Sequence, residues 1–271
     1  MLTIHKTDTL DLPELEPYRT MRRAAEHERK GIFVAEGEKV VQRLLNTPFE
    51  IISVLVTEDW LARIEGRLRE RTEHVRAYVA PKALLETMVG FQLYHGVLAL
   101  AKIPPPATLE AILSDGSRPL LLLAADGLTS AENLGVVARN CAAFGVQFLI
   151  TGETCSSPWL RRAVRNSMGG IFHLPTTRVA NLAAELSKLS HRGIAVIAAH
   201  PHANGKTLSQ ADLRQDCCIV LGSEGYGISP QVLQSCSEHV AVPMPWNVDS
   251  LNVSSAAAVF LYEAARQRGL A

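Results

Sequence analysis

The stretch LLLLAADGLTSAENLGVVARNCAAFGVQFLIT, Leu120–Thr151, decides how the C-terminal half of the chain folds. Its opening apolar run, Leu120–Ala125, has no polar alternation, as expected of a strand covered on both faces of a parallel sheet. NLGVVARNCAAF then reads as a helix of small and apolar residues, and QFLIT as the next strand. Strand, helix, strand in this order points to an α/β fold.

The alternation continues on both sides. Downstream come helix WLRRAVRN, extended IFHLPTT, helix NLAAELSKLS and the buried strands IAVIAAH and CCIVLG. Helix SPQVLQSC, extended HVAVPMP and a terminal helix in SLNVSSAAAVFLYEAAR complete the chain. Upstream, Leu15–Lys30 reads as helical, and IFVAE, IISVLVT, VRAYVA and GVLALA as strands separated by EKVVQRLLN, DWLARIEGRLRERT and PKALLETM helices. Between the halves lies KIPPPATLEAILSDGSRP. Its three consecutive prolines, Pro104–Pro106, favour extended polyproline geometry and mark a linker. The expected organisation is a smaller N-terminal α/β domain over 1–102, a linker over 103–118 and a larger domain over 119–271.

At 271 residues, with 47% hydrophobic and 20% charged residues, the composition is that of a soluble globular protein. No apolar run reaches the roughly 18 residues of a bilayer span, and MLTIHKTDTLDLPELEP lacks the apolar core of a secretory signal. Five cysteines without framework spacing suit reduced thiols in a cytoplasm. Lys+Arg and Asp+Glu balance at 27 each, so any anionic partner must be met by local patches. Two stretches qualify: YRTMRRAAEHERK, carrying Arg19, Arg22 and Arg23, and WLRRAVRN, carrying Arg161, Arg162 and Arg165. Read alone, each is a solvated helix face.

Common nucleotide motifs fail. GSEGYG (Gly222–Gly227) has the wrong spacing for a dinucleotide fingerprint and holds Glu224 where an anion would sit. NGKT (Asn204–Thr207) would need its first phosphate-loop glycine at His200. His200-Pro-His202 has no flanking carboxylate or Cys cluster, so no metal site is expected. Neither a Gly-x-Ser-x-Gly elbow nor an activated cysteine supports nucleophilic catalysis.

Three segments at strand ends, where α/β sheets bind ligands, remain. They are N133-LGVVA-R139-N-CAAFG, LGSEGYGIS (Leu221–Ser229) and VPMPWNVDSLNVSSAAAVFLYEA (Val242–Ala264). In this order and spacing they resemble the motifs of the SpoU/TrmH family of RNA ribose 2′-O-methyltransferases. The N-terminal part, through GIFVAEGEKVV and FQLYHGVLAL, is similar to the RNA substrate-binding domain often attached to that family.

The resemblance implies a parallel sheet whose C-terminal segment threads a loop in a deep trefoil knot. It implies S-adenosylmethionine as cofactor, bound at Leu221, Gly222, Ser223, Met244, Leu251 and Asn252. It also implies catalytic positions Arg139, Asn133, Glu224, Asn252 and Ser250, and a homodimer. On that reading Ser254 or Ser255 caps the terminal helix, and Arg161, Arg162 and Arg165 contact RNA, with Arg19, Arg22 and Arg23 as second candidates. Ribosomal RNA is favoured over transfer RNA by analogy. A base-methylating enzyme and a non-catalytic RNA-binding protein are the alternatives.

Methyl transfer to a ribose hydroxyl needs something to take or direct its proton. The family picture assigns this to Arg139, yet guanidinium keeps its proton. Two roles stay open: an unusually basic Arg139, or one that binds the adjacent phosphate and orients the hydroxyl. Glu224 is expected to hold Arg139 through a bidentate pair.

Overall fold

The computed structural model describes residues 1–89, 96–116, 118–201, 206–246 and 248–270, with 88 and 89 as backbone only. Most of FQLYHG, His202, the Asn204–Gly205 pair of NGKT, and Asn247 therefore lie outside the described residues. The chain packs as two compact units. One is Met1–Pro105 together with Trp159–Phe172, and the other is Pro106–Pro158 together with His173–Ala271.

The first unit is built on a mixed five-stranded sheet of β1 (Leu2–Lys6), β2 (Ile32–Glu36), β3 (Ile51–Val56), β4 (Val75–Val79) and β5 (Val97–Lys102). The order is β1-β4-β3-β5-β2. β1, β4 and β3 run parallel, whereas β5 is antiparallel to both β3 and β2. β1, which the periodicity did not reveal, is a sheet edge with half-buried and exposed side chains only. The helix expected over Leu15–Lys30 is broken into Glu16–Arg19 and Ala24–Arg29. At the break the Thr20 hydroxyl donates to the Glu16 carbonyl at 3.0 Å, and Arg23 N–H donates to the Thr20 carbonyl at 2.7 Å. Local bonding by a threonine competes here with helix continuation.

Trp159–Phe172 belongs to this first unit, although it lies far along the sequence. Phe33 packs against Trp159 and Phe172 with ring centroids 5.2 and 5.8 Å apart, and Phe49 joins both. Beside this aromatic cluster Arg161, on the helix Arg161–Asn166, is paired with the carboxylate of Glu36, and both side chains are buried. Arg165 reaches the same carboxylate at 3.0 Å. Arg161 Nε is buried without a hydrogen-bond partner.

The second unit holds seven strands: β6 (Leu121–Ala125), β7 (Phe148–Thr151), β8 (Thr176–Arg178), β9 (Ala195–Ala199), β10 (Lys206–Thr207), β11 (Cys217–Leu221) and β12 (Glu238–Ala241). The order is β10-β12-β9-β11-β6-β7-β8. Every pairing is parallel. β6 and β11 are buried at every residue, as unbroken apolar runs require. One face is sealed by Leu182, Leu186 and Leu189 of the helix Leu182–His191 against Leu122, Ile150, Val196 and Val220. The register sets Ala125 opposite Leu221, so β6 and β11 end level, and the site is built there.

Two expectations need correction. The segment read as a linker over 103–118 contains a helix, Leu109–Ser114, whose cap Thr108 accepts from Ala111 N–H at 3.2 Å. Leu109 is buried and Ile112 packs beside it in the second unit's core, a pull that a reading by prolines alone overlooked. IFHLPTT is extended only over Thr176–Arg178, because Gly170–His173 forms a 3-10 turn.

A buried charge left without its partner is costly. Glu36→Ala is therefore expected to destabilise the first unit by about 3 kcal/mol, and Glu36→Gln by less. Urea unfolding followed through Trp159 fluorescence is the check.

Candidate active site

The site is assembled from the carboxyl ends of β6, β9, β11 and β12, where an open parallel sheet leaves a crevice. A cavity of about 330 Å³ lies there. Its walls come from Ala199 and His200 after β9, Leu221–Ile228 after β11, Val240–Met244 after β12, and Asp249–Leu251 with Phe260 around the terminal helix.

The loop after β11 is tightly closed. Ser223 and Gly227 exchange two backbone hydrogen bonds of 2.9 Å, and the Ser223 hydroxyl accepts from Tyr226 N–H at 3.1 Å. Gly227 sits at φ +69°. A Cβ on Gly222 would lie 2.2 Å from the Gly227 carbonyl carbon and the Ile228 nitrogen, so only glycine fits. Buried Asp126 holds this loop to β6. Its N–H donates to the Leu221 carbonyl at 2.8 Å, and its carboxylate accepts from Ser229 N–H at 2.7 Å.

Two helices supply the polar rim. Ser130 caps the helix Ala131–Ala143, accepting from Asn133 N–H at 3.2 Å. The terminal helix, Val253–Gln267, is capped by Asn252, whose Oδ1 accepts from Ser254 N–H at 2.9 Å. The expectation that Ser254 or Ser255 supplies this cap is thus corrected. Ser254 instead anchors the two helices, its carbonyl accepting from Asn140 Nδ2 at 2.8 Å. Asn133 Nδ2 donates to Glu224, and Asn252 Nδ2 donates to Asn133 Oδ1 at 3.4 Å. One chain of side-chain hydrogen bonds therefore runs from the loop after β11, through the first helix, to the cap of the last.

Glu224 is engaged by Asn133 and not by Arg139, so the expected bidentate pair does not form. Arg139 stands six residues beyond Asn133 on the same helix, about 9 Å along the axis. It is exposed and has no hydrogen-bond or ion-pair partner among the described residues.

Of the residues picked from sequence, Leu221, Gly222, Ser223, Glu224, Met244, Ser250 and Leu251 line one cavity, with Asn133 and Asn252 bonded at its rim. Arg161 and Arg165 are instead engaged with Glu36 in the first unit, where Arg162 is exposed. Arg19 donates to the Leu10 carbonyl and lies 3.6 Å from Asp11, while Arg23 lies 3.6 Å from Glu26; both are exposed, as is Arg22. His200, Asp249, Val240 and Ile228 were missed. For His200 the signal available was its position just past the end of β9, and Val240 lies within strand β12 itself.

The cysteines are buried or half-buried. Burial raises the thiols of Cys141, Cys155 and Cys218, and pushes Cys217 up to about 11 and Cys236 up to about 12.

An all-parallel sheet with a cavity across its strand ends, closed by a glycine loop and rimmed by bonded amides and a carboxylate, defines a ligand-binding α/β enzyme domain. The chain belongs to the SpoU rRNA methylase family, whose model matches residues 120–262. An uncharacterized tRNA/rRNA methyltransferase of Mycobacterium bovis is 34% identical over 264 residues, covering 94% of this chain and 90% of the relative. A solved RNA 2′-O ribose methyltransferase is 28% identical with a TM-score of 0.79, covering 98% of this chain and all of the other. The SpoU methyltransferase AviRb of Streptomyces viridochromogenes, solved with AdoMet, shares the fold at 23% identity. Its TM-score is 0.83, covering 95% of this chain and 98% of that one.

The close approach at Gly222 yields a direct test. Gly222→Ala is expected to cost at least about 2 kcal/mol, because the added methyl meets rigid backbone. Gly225→Ala, where nothing lies within 4 Å of the added carbon, serves as a near-neutral control in the same urea titration.

Proposed function

We propose that the protein transfers the methyl group of S-adenosylmethionine to a ribose 2′-hydroxyl of RNA, with ribosomal RNA favoured over transfer RNA. The observation that carries this reading is the bonded Glu224–Asn133–Asn252 cluster at the rim of the cavity, with an uncommitted Arg139 on the same helix as Asn133.

The cavity suits the cofactor chemically. Leu221, Ile228, Val240 and Met244 offer apolar walls for a purine, and Glu224 and Asp249 are the carboxylates lining a site for a ligand carrying a sulfonium and an ammonium. Where Gly222 lacks a side chain, backbone closes on backbone, which shapes the wall without a protruding group. When bound, the cofactor supplies an electrophilic methyl carbon that needs no activation by the protein.

The chain's own residues then have two tasks. The first is to hold the acceptor ribose at the cavity mouth, for which Ser250, Asn252 and Asn133 present hydroxyl and amide groups. The second is to orient the hydroxyl and manage charge. The guanidinium of Arg139 offers N–H donors in a planar fork and no acceptor, so its role here is to bind the phosphate next to the acceptor ribose and aim the hydroxyl at the cavity. Glu224 and Asn133, bonded to each other, set the amide's orientation and hence which of its groups faces the sugar.

The first unit is assigned to RNA holding, with exposed Arg19, Arg22, Arg23 and Arg162 as phosphate contacts. A homodimer, and threading of the C-terminal segment through a loop as a knot, complete the proposal. Exposed Val259 and Tyr262 on the terminal helix support the dimer. No helix among the described residues is long and apolar enough to cross a membrane.

The deciding experiment supplies radiolabelled S-adenosylmethionine and size-fractionated total RNA from a strain lacking the gene, then digests the RNA to nucleosides. Label in 2′-O-methyl nucleosides is the expected result; label on a base overturns the ribose assignment. Arg139→Lys, which keeps the charge and loses the fork, is expected to abolish methylation while cofactor affinity, read by calorimetry, stays within about twofold. Near-normal turnover in that variant removes Arg139 from the mechanism.

A further inference from the structure

Between Met244 and Asp249, which both line the cavity, stands an anomaly. Trp246 has φ +71°, in the left-handed region, and is 91% exposed. Each feature is unfavourable alone. A bulky side chain at positive φ is an outlier that glycine would relieve, and a fully exposed indole gains nothing from burial. A strained residue held out into solvent at a site is grounds for a functional hypothesis.

Trp246 does not stand alone. Tyr226, at the tip of the loop after β11, lines the cavity and is 98% exposed. Val248 and Leu251, flanking Asp249 and Ser250, are exposed too. The loop after β11 and the loop before the terminal helix therefore each carry one exposed aromatic ring.

We propose that Trp246 and Tyr226 form a stacking surface for unpaired bases of the RNA beside the nucleotide that is methylated. This rests on the reading above of RNA as the acceptor. The geometry argues for RNA over another occupant. Tyr226 lines the cavity, and Trp246 stands between the lining residues Met244 and Asp249, so an acceptor that enters the cavity comes close to both loops. A ribose cannot present its 2′-hydroxyl there without bringing its own and neighbouring bases. Bases splayed from a single strand are held by aromatic faces, which accept any sequence. Phosphates of the same strand are matched by the uncommitted guanidinium of Arg139. Neutral, exposed aromatic rings suit the faces of bases better than a charged protein surface.

The strain makes the test clean, because Trp246→Gly removes the indole from a position where glycine is the comfortable residue. Its stability to urea is expected to be equal to or greater than that of the wild type. In methylation assays on the labelled RNA fraction, Trp246→Gly is expected to raise KM for RNA about tenfold. Its affinity for S-adenosylmethionine is expected to be unchanged, and Trp246→Phe restores KM toward the wild-type value.

Titration with a mixed-sequence single-stranded oligoribonucleotide should quench tryptophan fluorescence. Trp246→Phe should remove that quenching, since Trp60 is buried and Trp159 packs on Phe33 and Phe49. An unaltered KM in Trp246→Gly overturns the proposal. So does a loss of oligomer mass by light scattering with RNA affinity intact, which would assign the indole to contact between copies. Failure of the wild type to bind or methylate any RNA overturns the acceptor reading itself, and this proposal with it.

Discussion

The site depends on one close approach, the backbone of Gly222 lying where a methyl group would be only 2.2 Å from the backbone of Gly227 and Ile228. That contact lets the chain leave β11 and fold straight back into a five-residue ring closed by two hydrogen bonds between Ser223 and Gly227. The ring in turn fixes where Glu224 and Tyr226 project. A strand end buried on both faces supplies a rigid base for this turn, and buried Asp126 ties it to the neighbouring strand by satisfying the Ser229 N–H. Removing side-chain volume at one position thus determines the shape of a wall and the aim of a carboxylate.

The polar rim is held by the same chemistry that ends helices. Asn252 is at once the cap of the terminal helix and a donor to Asn133, and Asn133 passes the connection to Glu224. Such residues satisfy backbone N–H groups that would otherwise be orphaned. Asn140 binding the Ser254 carbonyl keeps the two helices in step, so that local caps become a single connected rim. Arg139, on the first of these helices, is exposed and has no hydrogen-bond or ion-pair partner among the described residues.

The first unit shows how charge counted along a sequence can mislead. WLRRAVRN is basic, and a solvated or RNA-facing helix is a fair expectation for it. In the folded unit Arg161 and Arg165 converge on Glu36, with Trp159 packed among phenylalanines. Glu36 lies at the end of a strand more than a hundred residues earlier. No local pattern announces that pairing, because a guanidinium's destination is set by which carboxylate tertiary contacts bring to it. The helix inside the proline-rich segment was hidden for a related reason: Leu109 and Ile112 are only a two-residue apolar signal until the core they join exists.

The sequence by itself determined the class of fold and pointed to part of the cavity's lining. Unbroken runs such as LLLLAA and CCIVLG need cover on both faces, and glycine and small polar residues at strand ends leave room for a ligand. Those are local demands of burial and backbone geometry, readable one segment at a time. Tertiary structure alone decided who pairs with whom. Glu224 meets Asn133 rather than Arg139, Asn252 caps rather than Ser254, and a tryptophan is held outward at positive φ. Each of these outcomes turns on distances between segments brought together by the sheet's order, β10-β12-β9-β11-β6-β7-β8. That order places β11 beside β6 although nearly a hundred residues separate them in the chain.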